Sequence, residues 1–377
     1  MTVKILHTAD WQMGMKALQA GEKAQEVRSR RFHAANRVVD VAKRENVDLV
    51  ILAGDLFEHH DVDEAVVRKT VAVLDAFAPI PVFVLPGNHD PLIAGGIWDR
   101  NSWQRVGSHV TLLREAVEYH FHDGVVFYPA PLKQKQSTLD PTAWIPARAP
   151  GDDRIRIGVA HGALDVLPER TNFPISATRA AQAGLDYLAL GDWHGFVQQG
   201  PTVYSGTIEQ TSFGEKNSGN VVIVEISSAM RKLVVSPQNV GALQWSEHDP
   251  LIRDETDVEF LRKAVLGLGS LDNQLLRIAI QLDPEASTEV LDELRSLRQE
   301  FHEEAFLLDW PIETLDPSPE MPVTIPDGIL AEVDEGLSAI QDGKIPEGPA
   351  REAASEAPEV VQEARTLLRR LVAEVHR

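Results

Sequence analysis

Five short segments of the sequence place Asp, Asn or His directly after an apolar run. They are HTADWQ (7–12), GDLF (54–57), GNHD (87–90), HG (161–162) and GDWHG (191–195). Carboxylate, amide and imidazole groups are ligands for manganese, iron, zinc or magnesium. Glycines beside them allow the backbone to turn sharply toward a shared centre. Any one segment alone is equally typical of a helix cap or a hydrogen-bonded core residue, but the ordered set predicts a metal centre.

The chain around these segments predicts an α/β layered domain. Apolar β-type runs at 3–9, 48–54, 81–87, 154–162 and 186–192 are joined in part by helical patterns at 24–46 and 63–78. Strands that alternate with helices form layered sheets, and functional groups gather at the carboxyl ends of the strands. We therefore expect the five polar segments to meet at one end of the domain.

The rest of the chain predicts smaller units. A β-rich stretch follows residue 200, and residues 275–310 then read as strand, helix and strand, with Ser287 or Thr288 as the helix cap. The residues expected inward on that helix are Val290, Leu291, Leu294, Leu297 and Phe301. Residues 311–358 are rich in Pro, Glu and Ala, which indicates a linker that contains one short helix. Pro358 opens a final helical pattern with one apolar stripe.

The composition excludes several classes of protein. The chain of 377 residues has no Cys, so a disulfide scaffold, a Cys zinc site and a thiol nucleophile are excluded. No apolar run approaches the roughly 18–20 residues of a membrane helix, and the N-terminus has no signal-peptide pattern, which favours a cytoplasmic protein without membrane contact. Residues 1–230 carry 22 basic and 27 acidic residues, whereas residues 231–377 carry 14 and 30. This acidity argues against a free-standing nucleic-acid binder without a basic patch or a partner.

The ordered motifs resemble those of the calcineurin-like metallophosphoesterases. Their pattern is D-x-H, G-D, G-N-H-D, H and G-H-x-H, and this chain has D-x-Q, G-D, G-N-H-D, H-G and G-D-x-H. The segments HTADWQMG, GDLFEHH, LPGNHD and VYSGTIEQTSFGE (203–215) are most similar to DNA-repair nucleases of the SbcD type. The resemblance covers roughly residues 1–225.

The resemblance implies the fold and its division. We expect a four-layer α/β/β/α sandwich with a small α/β capping domain and a C-terminal helix. The implied parts are a nuclease domain (1–235), a DNA-binding capping domain (250–312), an acidic Pro-rich linker (313–357) and a partner-binding helix (358–377). The helix would bind an SbcC-like coiled-coil ATPase; the alternative is that it folds back on the capping domain.

The resemblance also implies a centre of two divalent ions, with manganese as the expected metal. The first ion would have Asp10, His194 and, in place of the usual His, Gln12; the second would have Asn88, His161 and Asp192; Asp55 would bridge both. His89 would not bind metal, because the corresponding His contacts the scissile phosphate and helps to protonate the leaving group. Residues expected to support ligands or to contact substrate are Trp11, His59, Asp90 and Trp193.

Several positions depart from the family pattern or admit two interpretations. Asp192 stands where the family has an imidazole, which makes the metal centre less positive. Gln12 replaces a nitrogen ligand by a side-chain amide, so we expect the first ion to bind more weakly, or a water molecule to take the place of that ligand. Trp11 and Trp193 would either stack on a nucleobase or pack against the sheet. The basic residues of the 24–46 helix would either follow a DNA backbone or form a solvated face; they are Arg28, Arg30, Arg31, Arg37, Lys43 and Arg44.

These patterns favour a metal-dependent DNA exonuclease or endonuclease of DNA repair, with homodimerisation as a family expectation. Two alternatives remain open. A phosphodiesterase or phosphatase for small nucleotides would have the same centre, and a weakly active scaffold subunit would retain the fold with an altered metal site. The sequence leaves open the strand polarity and the physiological metal.

Overall fold

The computed structural model describes residues 2–122, 124–166, 172–229, 232–283, 286–311, 325, 328–341, 343–346, 348–355, 360–361, 364–365, 367–368 and 372. The chain divides into two compact units, Met1–Pro311 and Ile312–Arg377. Each unit is described by itself below.

The first sheet of the larger unit has six strands. In chain order they are β1 (Thr2–Thr8), β2 (Leu49–Ala53), β3 (Val82–Leu85), β4 (Val110–Leu112), β11 (Asn220–Ser227) and β12 (Lys232–Asn239). Their spatial order is β12-β11-β1-β2-β3-β4. Strands β1 to β4 are parallel, and β11 pairs antiparallel with both β1 and β12. Three of the five polar segments therefore lie at the same edge of this sheet.

The second sheet also has six strands. They are β5 (Tyr119–His122), β6 (Val125–Ala130), β7 (Ile155–His161), β8 (Tyr187–Gly191), β9 (Val197–Gln199) and β10 (Thr202–Tyr204). Their spatial order is β5-β6-β7-β8-β10-β9, with the four central strands parallel. Strand β2 lies against β7 and β8 of this sheet. The remaining two polar segments, at the ends of β7 and β8, thus reach the same end of the molecule from a different sheet.

The two sheets pack face to face and are covered by helices outside. Alternate strand residues such as Ile5, Ile51 and Ile157 fill the core between the sheets, because successive side chains of a strand point to opposite faces. The other face of the first sheet packs against α1 (Ala24–Arg44) and α2 (Glu64–Asp75). The other face of the second sheet packs against α3 (Arg179–Ala183). The expected α/β/β/α sandwich is confirmed.

A small α/β domain completes the larger unit. Its sheets contain β13 (Gln244–His248), β14 (Leu251–Ile252), β15 (Gln274–Ile278), β16 (Gln281–Leu282) and β17 (Leu307–Asp309), and its helices are α4 (Glu255–Leu266) and α5 (Thr288–Glu304). Ser287 caps α5, because its hydroxyl accepts a hydrogen bond from the Val290 amide at 3.2 Å. Four of the five residues expected inward on α5 are buried, and Leu291 is only half-buried. The domain packs Trp245, Leu275 and Phe306 against the beginning of α1.

The smaller unit contains α6 (Ile329–Gln341) and a 3-10 helix (Pro349–Ser355). Leu337, Ala350 and Val361 share a small core, and the Arg365 guanidinium lies 3.1 Å from the Asp334 carboxylate. Most of the expected partner-binding helix (358–377) and much of the expected linker lie outside the described residues. Among the described residues, no helix combines the length and apolar character needed to cross a bilayer.

Candidate metal centre

Backbone conformation turns the predicted ligands inward at the strand ends. Asp10, Gln12, Asp55 and Asp192 all have positive φ angles, of 52°, 43°, 53° and 100°. Non-glycine residues rarely adopt this conformation, which costs about 1–3 kcal/mol each and clusters at functional sites. The loops after β1 and β2 run side by side, with the Gln12 amide donating to the Asp55 carbonyl at 2.9 Å. Four residues in strained conformations, on the three loops after β1, β2 and β8, therefore face one another where the two sheets meet.

Asp10, Asp55 and His161 form a buried cluster whose ligand atoms all lie within 4.8 Å of one another. The His161 Nδ1 donates to the Ala53 carbonyl at 2.9 Å, so its Nε2 points into the cluster. That Nε2 lies 2.7 Å from Asn88 Oδ1, 3.3 Å from Asp55 Oδ2 and 4.0 Å from Asp192 Oδ1. Among the described residues, an imidazole nitrogen thus faces three acceptor oxygens. This donor set fits a divalent cation.

The charges of the cluster perturb one another strongly. Burial raises the pKa of Asp10 to about 7, although His161 and His194 act in the opposite direction. Burial alone would lower the pKa of His161, but the carboxylates of Asp55, Asp10 and Asp192, with Asp55 the strongest, together raise that pKa to about 10. Burial would likewise raise the pKa of Asp55, but His161 holds it below its ordinary value. The buried carboxylates therefore need a compensating positive charge, which a proton or a metal ion can supply.

Gln12 and His194 form a second part of the centre. The His194 Nδ1 donates to Glu215 Oε1 at 2.6 Å, which leaves its Nε2 as an acceptor. The Gln12 side-chain amide lies 3.0 Å from that Nε2 and donates to it. Burial would raise the pKa of Glu215, but the hydrogen bond from His194 lowers it to about 2. The sequence motifs did not identify Glu215 as a site residue, because it lies 21 positions after His194, the residue that it contacts.

His89 and Asp90 follow Asn88 but have different environments. The His89 backbone amide donates to Asp55 Oδ1 at 2.9 Å, and its Nδ1 donates to the Glu58 carbonyl at 2.9 Å. The His89 side chain is 39% exposed, whereas Asp90 is fully buried. The Asp90 carboxylate accepts from the Gly87 and Phe57 amides at 2.7 and 3.0 Å. His89 is therefore accessible from solvent, and Asp90 fastens the loop after β2 to the loop after β3.

The remaining predicted residues lie around the cluster rather than in it. Trp11 is fully buried and donates to the Thr8 hydroxyl at 2.9 Å, so stacking on a nucleobase is ruled out for this residue. Trp193 packs at the edge of the core outside the second sheet. His59 is half-buried, and its Nδ1 accepts from the Asp61 amide at 3.1 Å within its own loop.

Neither interpretation of the basic residues on α1, as a DNA-facing surface or as a solvated face, is right for Arg31. Arg31 is 1% exposed, and its guanidinium donates to the carbonyls of Trp11, Glu209 and Gln210. It also lies 3.2 Å from the Thr207 hydroxyl, which itself donates to the Asp10 carbonyl at 2.7 Å. Arg31 therefore stabilises the loop after β1, which carries Asp10 and Gln12, through buried hydrogen bonds.

An open groove gives access to the centre. Its volume is about 470 Å³, and its lining includes Asp55, His89, Asp192 and His194. Residues 15–19 line another part of it, and among them Leu18 is 78% exposed. A substrate would thus meet His89 and the ligand carboxylates between the strand ends and this segment.

The chain belongs to the calcineurin-like phosphoesterase family, whose pattern matches residues 3–196. It is therefore a metallophosphoesterase, of a class of hydrolases that act on phosphoester bonds with divalent metals. It is 27% identical over 175 residues to the uncharacterized metallophosphoesterase YhaO of Bacillus subtilis, covering 43% of this chain and 40% of that protein. It is 27% identical over 278 residues to the DNA double-strand break repair protein Mre11 of Thermoplasma acidophilum, covering 67% of this chain and 68% of that one.

The chain thus spans less than half the length of YhaO and about two thirds of that Mre11. Among solved structures, TT1561 of Thermus thermophilus is 14% identical with a TM-score of 0.38, over 64% of this chain and 100% of that one. YfkN of Bacillus subtilis is 12% identical with a TM-score of 0.38, over 71% and 97%. The resemblance to the calcineurin-like family is confirmed, and the SbcD-type assignment stays a prediction.

Proposed function

We propose that this protein is a cytoplasmic, metal-dependent DNA nuclease of DNA repair that hydrolyses phosphodiester bonds. The observation that carries the proposal is that the buried Asp10, Asp55 and His161 cluster lies beneath an open groove lined by the half-exposed His89. An open groove suits a polymer better than the enclosed pocket typical of small-molecule sites. The similarity to a protein named for DNA double-strand break repair, over two thirds of both chains, supports the same substrate.

The proposed centre holds two divalent ions, with manganese as the proposed metal. The residues that would hold them are Asp10, Asp55, Asn88, His161, Asp192 and His194. When bound, such ions neutralise phosphate charge and make water a stronger nucleophile. The residues of this chain orient the groups around the phosphate, and His161 is held in one tautomer by the Ala53 carbonyl.

His89 is the proposed general acid. Its Nδ1–H is held by the Glu58 carbonyl, which directs Nε2 to within 4.0 Å of Asp55 Oδ2 at the groove. From that position, a proton carried on Nε2 can be donated to the leaving oxygen of a phosphodiester in the groove. Because His89 is half-exposed, a substrate can reach that proton.

Gln12 is proposed to weaken the first metal position. Its amide donates to His194 Nε2, the atom that would otherwise bind metal. A manganese titration is therefore expected to show one tight and one weak site, and Gln12→His is expected to tighten the weak one. Two sites that fill equally and stoichiometrically in the unmodified protein would contradict this role.

The test of the proposed function is manganese-dependent cleavage of a labelled DNA strand. Unmodified protein is expected to cut the strand, and His89→Ala is expected to lose about 10²–10⁴-fold in rate, the usual worth of a general acid. His120→Ala is the matched control, because His120 is exposed on strand β5 and does not line the groove. Cleavage of bis(p-nitrophenyl) phosphate and small nucleotides without cleavage of DNA would favour the small-nucleotide alternative. Bound metal with no cleavage of either would favour the scaffold alternative.

The smaller unit is the proposed docking site for an SbcC-like coiled-coil ATPase, and the small domain at 250–312 is the proposed second contact with DNA. Residues 231–377 carry 30 acidic and 14 basic residues, so a partner that supplies positive charge would strengthen the hold on DNA. Deletion of residues 312–377, which removes one compact unit whole, is expected to abolish capture of the ATPase while leaving the melting of the larger unit unchanged. Retained capture would contradict the docking site. Homodimerisation is proposed as well, and its test is the mass in solution.

A further inference from the structure

We propose that Glu215 is a positioning residue that fixes the His194 imidazole for the metal centre, and that contacts with the small domain hold Glu215 in place. The inference rests on the metal centre of the proposed function, although it does not depend on DNA as the substrate. It deepens that function by giving a role to a residue outside the five metal-binding motifs.

The first support is the set of hydrogen bonds around the Glu215 carboxylate. Glu215 Oε1 lies 2.6 Å from His194 Nδ1 and accepts a further bond from the Ser212 hydroxyl at 3.2 Å. Glu215 Oε2 accepts from the Thr211 amide at 2.9 Å, and the Thr211 hydroxyl donates to Oε1. The side chain is 13% exposed. The carboxylate is therefore held by its own loop in one orientation, with one oxygen directed at the imidazole.

The second support is the consequence for His194. A hydrogen bond from Nδ1 to a carboxylate fixes the tautomer, so the lone pair lies on Nε2, and it makes that nitrogen a better donor to metal. Nε2 lies on the Gln12 side, in the lining of the groove. Glu215 lies within ion-pair distance of His194. Among the described residues, no Lys or Arg lies within that distance of Glu215. Its position is thus accounted for by the imidazole rather than by a surface ion pair.

The third support is the attachment of the same segment to the small domain. The Gln210 side chain accepts from the Trp245 amide at 3.0 Å and donates to the Trp245 carbonyl at 3.1 Å. It also donates to the Ser212 carbonyl at 3.0 Å. The Glu209 carboxylate accepts from the Leu243 amide at 2.8 Å. Residues 209–215 therefore contact strand β13 at one end and His194 at the other, so a displaced small domain would displace Glu215.

The test measures manganese affinity and the His194 tautomer, neither of which involves DNA. We compare Glu215→Ala and Glu215→Gln, which retains an acceptor oxygen, with Glu118→Gln as the matched control. Glu118 lies 3.2 Å from His120 Nε2 but outside the metal groove. Manganese binding is followed by the electron paramagnetic resonance of the free ion. The His194 tautomer is followed by ¹⁵N NMR of the metal-free protein, with His194→Gln for assignment.

Glu215→Ala is expected to weaken one manganese site about 10–100-fold, as removal of such outer partners typically does. Glu215→Gln is expected to lie between it and the unmodified protein, and the other site is expected to keep its affinity. The Nδ1–H tautomer of His194 is expected to lose its dominance in both variants. Gln210→Ala is expected to weaken the same site by a smaller factor, and unchanged affinity there would overturn the role of the small domain.

Unchanged manganese affinity and an unchanged tautomer in folded Glu215→Gln and Glu215→Ala would overturn the positioning role. An equal loss in Glu118→Gln would overturn it too, because the effect would then follow from any lost carboxylate. These readouts are separate from DNA cleavage. A protein that binds manganese as expected but cuts no DNA contradicts the proposed nuclease and not the role of Glu215.

Discussion

Gly54 offers a sharp test of the position of His161. Gly54 has a φ of +100°, and a Cβ atom added there would lie 2.1 Å from His161 Nδ1 and 2.6 Å from Cγ of that ring. The same Nδ1 donates to the carbonyl of the preceding residue, Ala53, so a turn of the ring away from the new atom would break that hydrogen bond. Gly54→Ala therefore cannot be accommodated by a simple rotation of the imidazole. We expect a protein that is less stable and binds metal more weakly.

The expected loss of folding stability in Gly54→Ala has two parts. A side chain held at a positive φ costs about 1–3 kcal/mol. Forcing extra atoms into a packed site costs about 1–3 kcal/mol more. The sum is about 2–6 kcal/mol, a large share of the roughly 5–15 kcal/mol by which a native protein is stable. Urea unfolding of the metal-free protein measures this loss, and a manganese titration measures the weakened metal site.

Substitutions at two other glycines measure the backbone strain and the steric clash separately. Gly151 has a φ of +79° and open space around its Cβ position, so Gly151→Ala measures backbone strain alone. At Gly87, where φ is not positive, a Cβ atom would lie 2.1 Å from Asp55 Oδ1, so Gly87→Ala measures a clash alone. If Gly54→Ala loses no more stability than Gly151→Ala and binds manganese as tightly as the unmodified protein, the described position of His161 is refuted.

Three further outcomes follow from the buried charges. Arg31→Met leaves three carbonyl groups without their donor and is expected to lower the free energy of unfolding by about 3–5 kcal/mol. Arg30→Met, at a partly exposed site, should change it by less than about 0.5 kcal/mol; equal values in urea unfolding would contradict the stabilising role of Arg31. The metal-free protein is expected to melt at a lower temperature at pH 8 than at pH 5. The pKa values of Asp10 and Asp90 are about 7 in the fold, above the ordinary 3.8, so their stabilising contribution is complete below pH 3.8 and is lost as pH rises through 7. Asp90→Asn should reduce this slope, and a melting temperature that rises from pH 5 to pH 8 would contradict the pKa directions. Removal of metal by a chelator is expected to lower the melting temperature more at pH 8 than at pH 5, because bound cations replace the lost protons; an equal effect at both values would exclude that compensation.

The strand ends of the site could be predicted from the sequence because their signal is local. An apolar run followed by Gly and a ligand-type residue marks both the strand and its loop, as at Asp55 and Asp192. That the strands belong to two sheets was not visible in the runs themselves and came from the family resemblance. Strand β6 was missed, although all of its residues are buried, because Pro129 interrupts its β-type pattern.

Arg31 and Glu215 show two different limits of sequence interpretation. Its charge groups Arg31 with the other basic residues of α1, yet Val27, Ala34 and Ala35 lie four, three and four positions from it and are all buried. That spacing places Arg31 on the apolar stripe of α1, so helical periodicity predicts its burial although its charge alone predicts exposure. Glu215 lies in the family-like segment 203–215, but no spacing pairs it with His194, because a contact between distant loops is created only by tertiary packing.

The arrangement of the first sheet has a consequence for the order of events during synthesis. Strand β1 lies between β2 and β11, so its second neighbour, Asn220–Ser227, is translated more than 200 residues after β1 itself. The metal cluster similarly joins Asp10 to His161, which lies on the other sheet. A ribosome must therefore release most of the larger unit before the loop after β1 has its permanent surroundings. We expect metal uptake to follow translation of this unit rather than to accompany it.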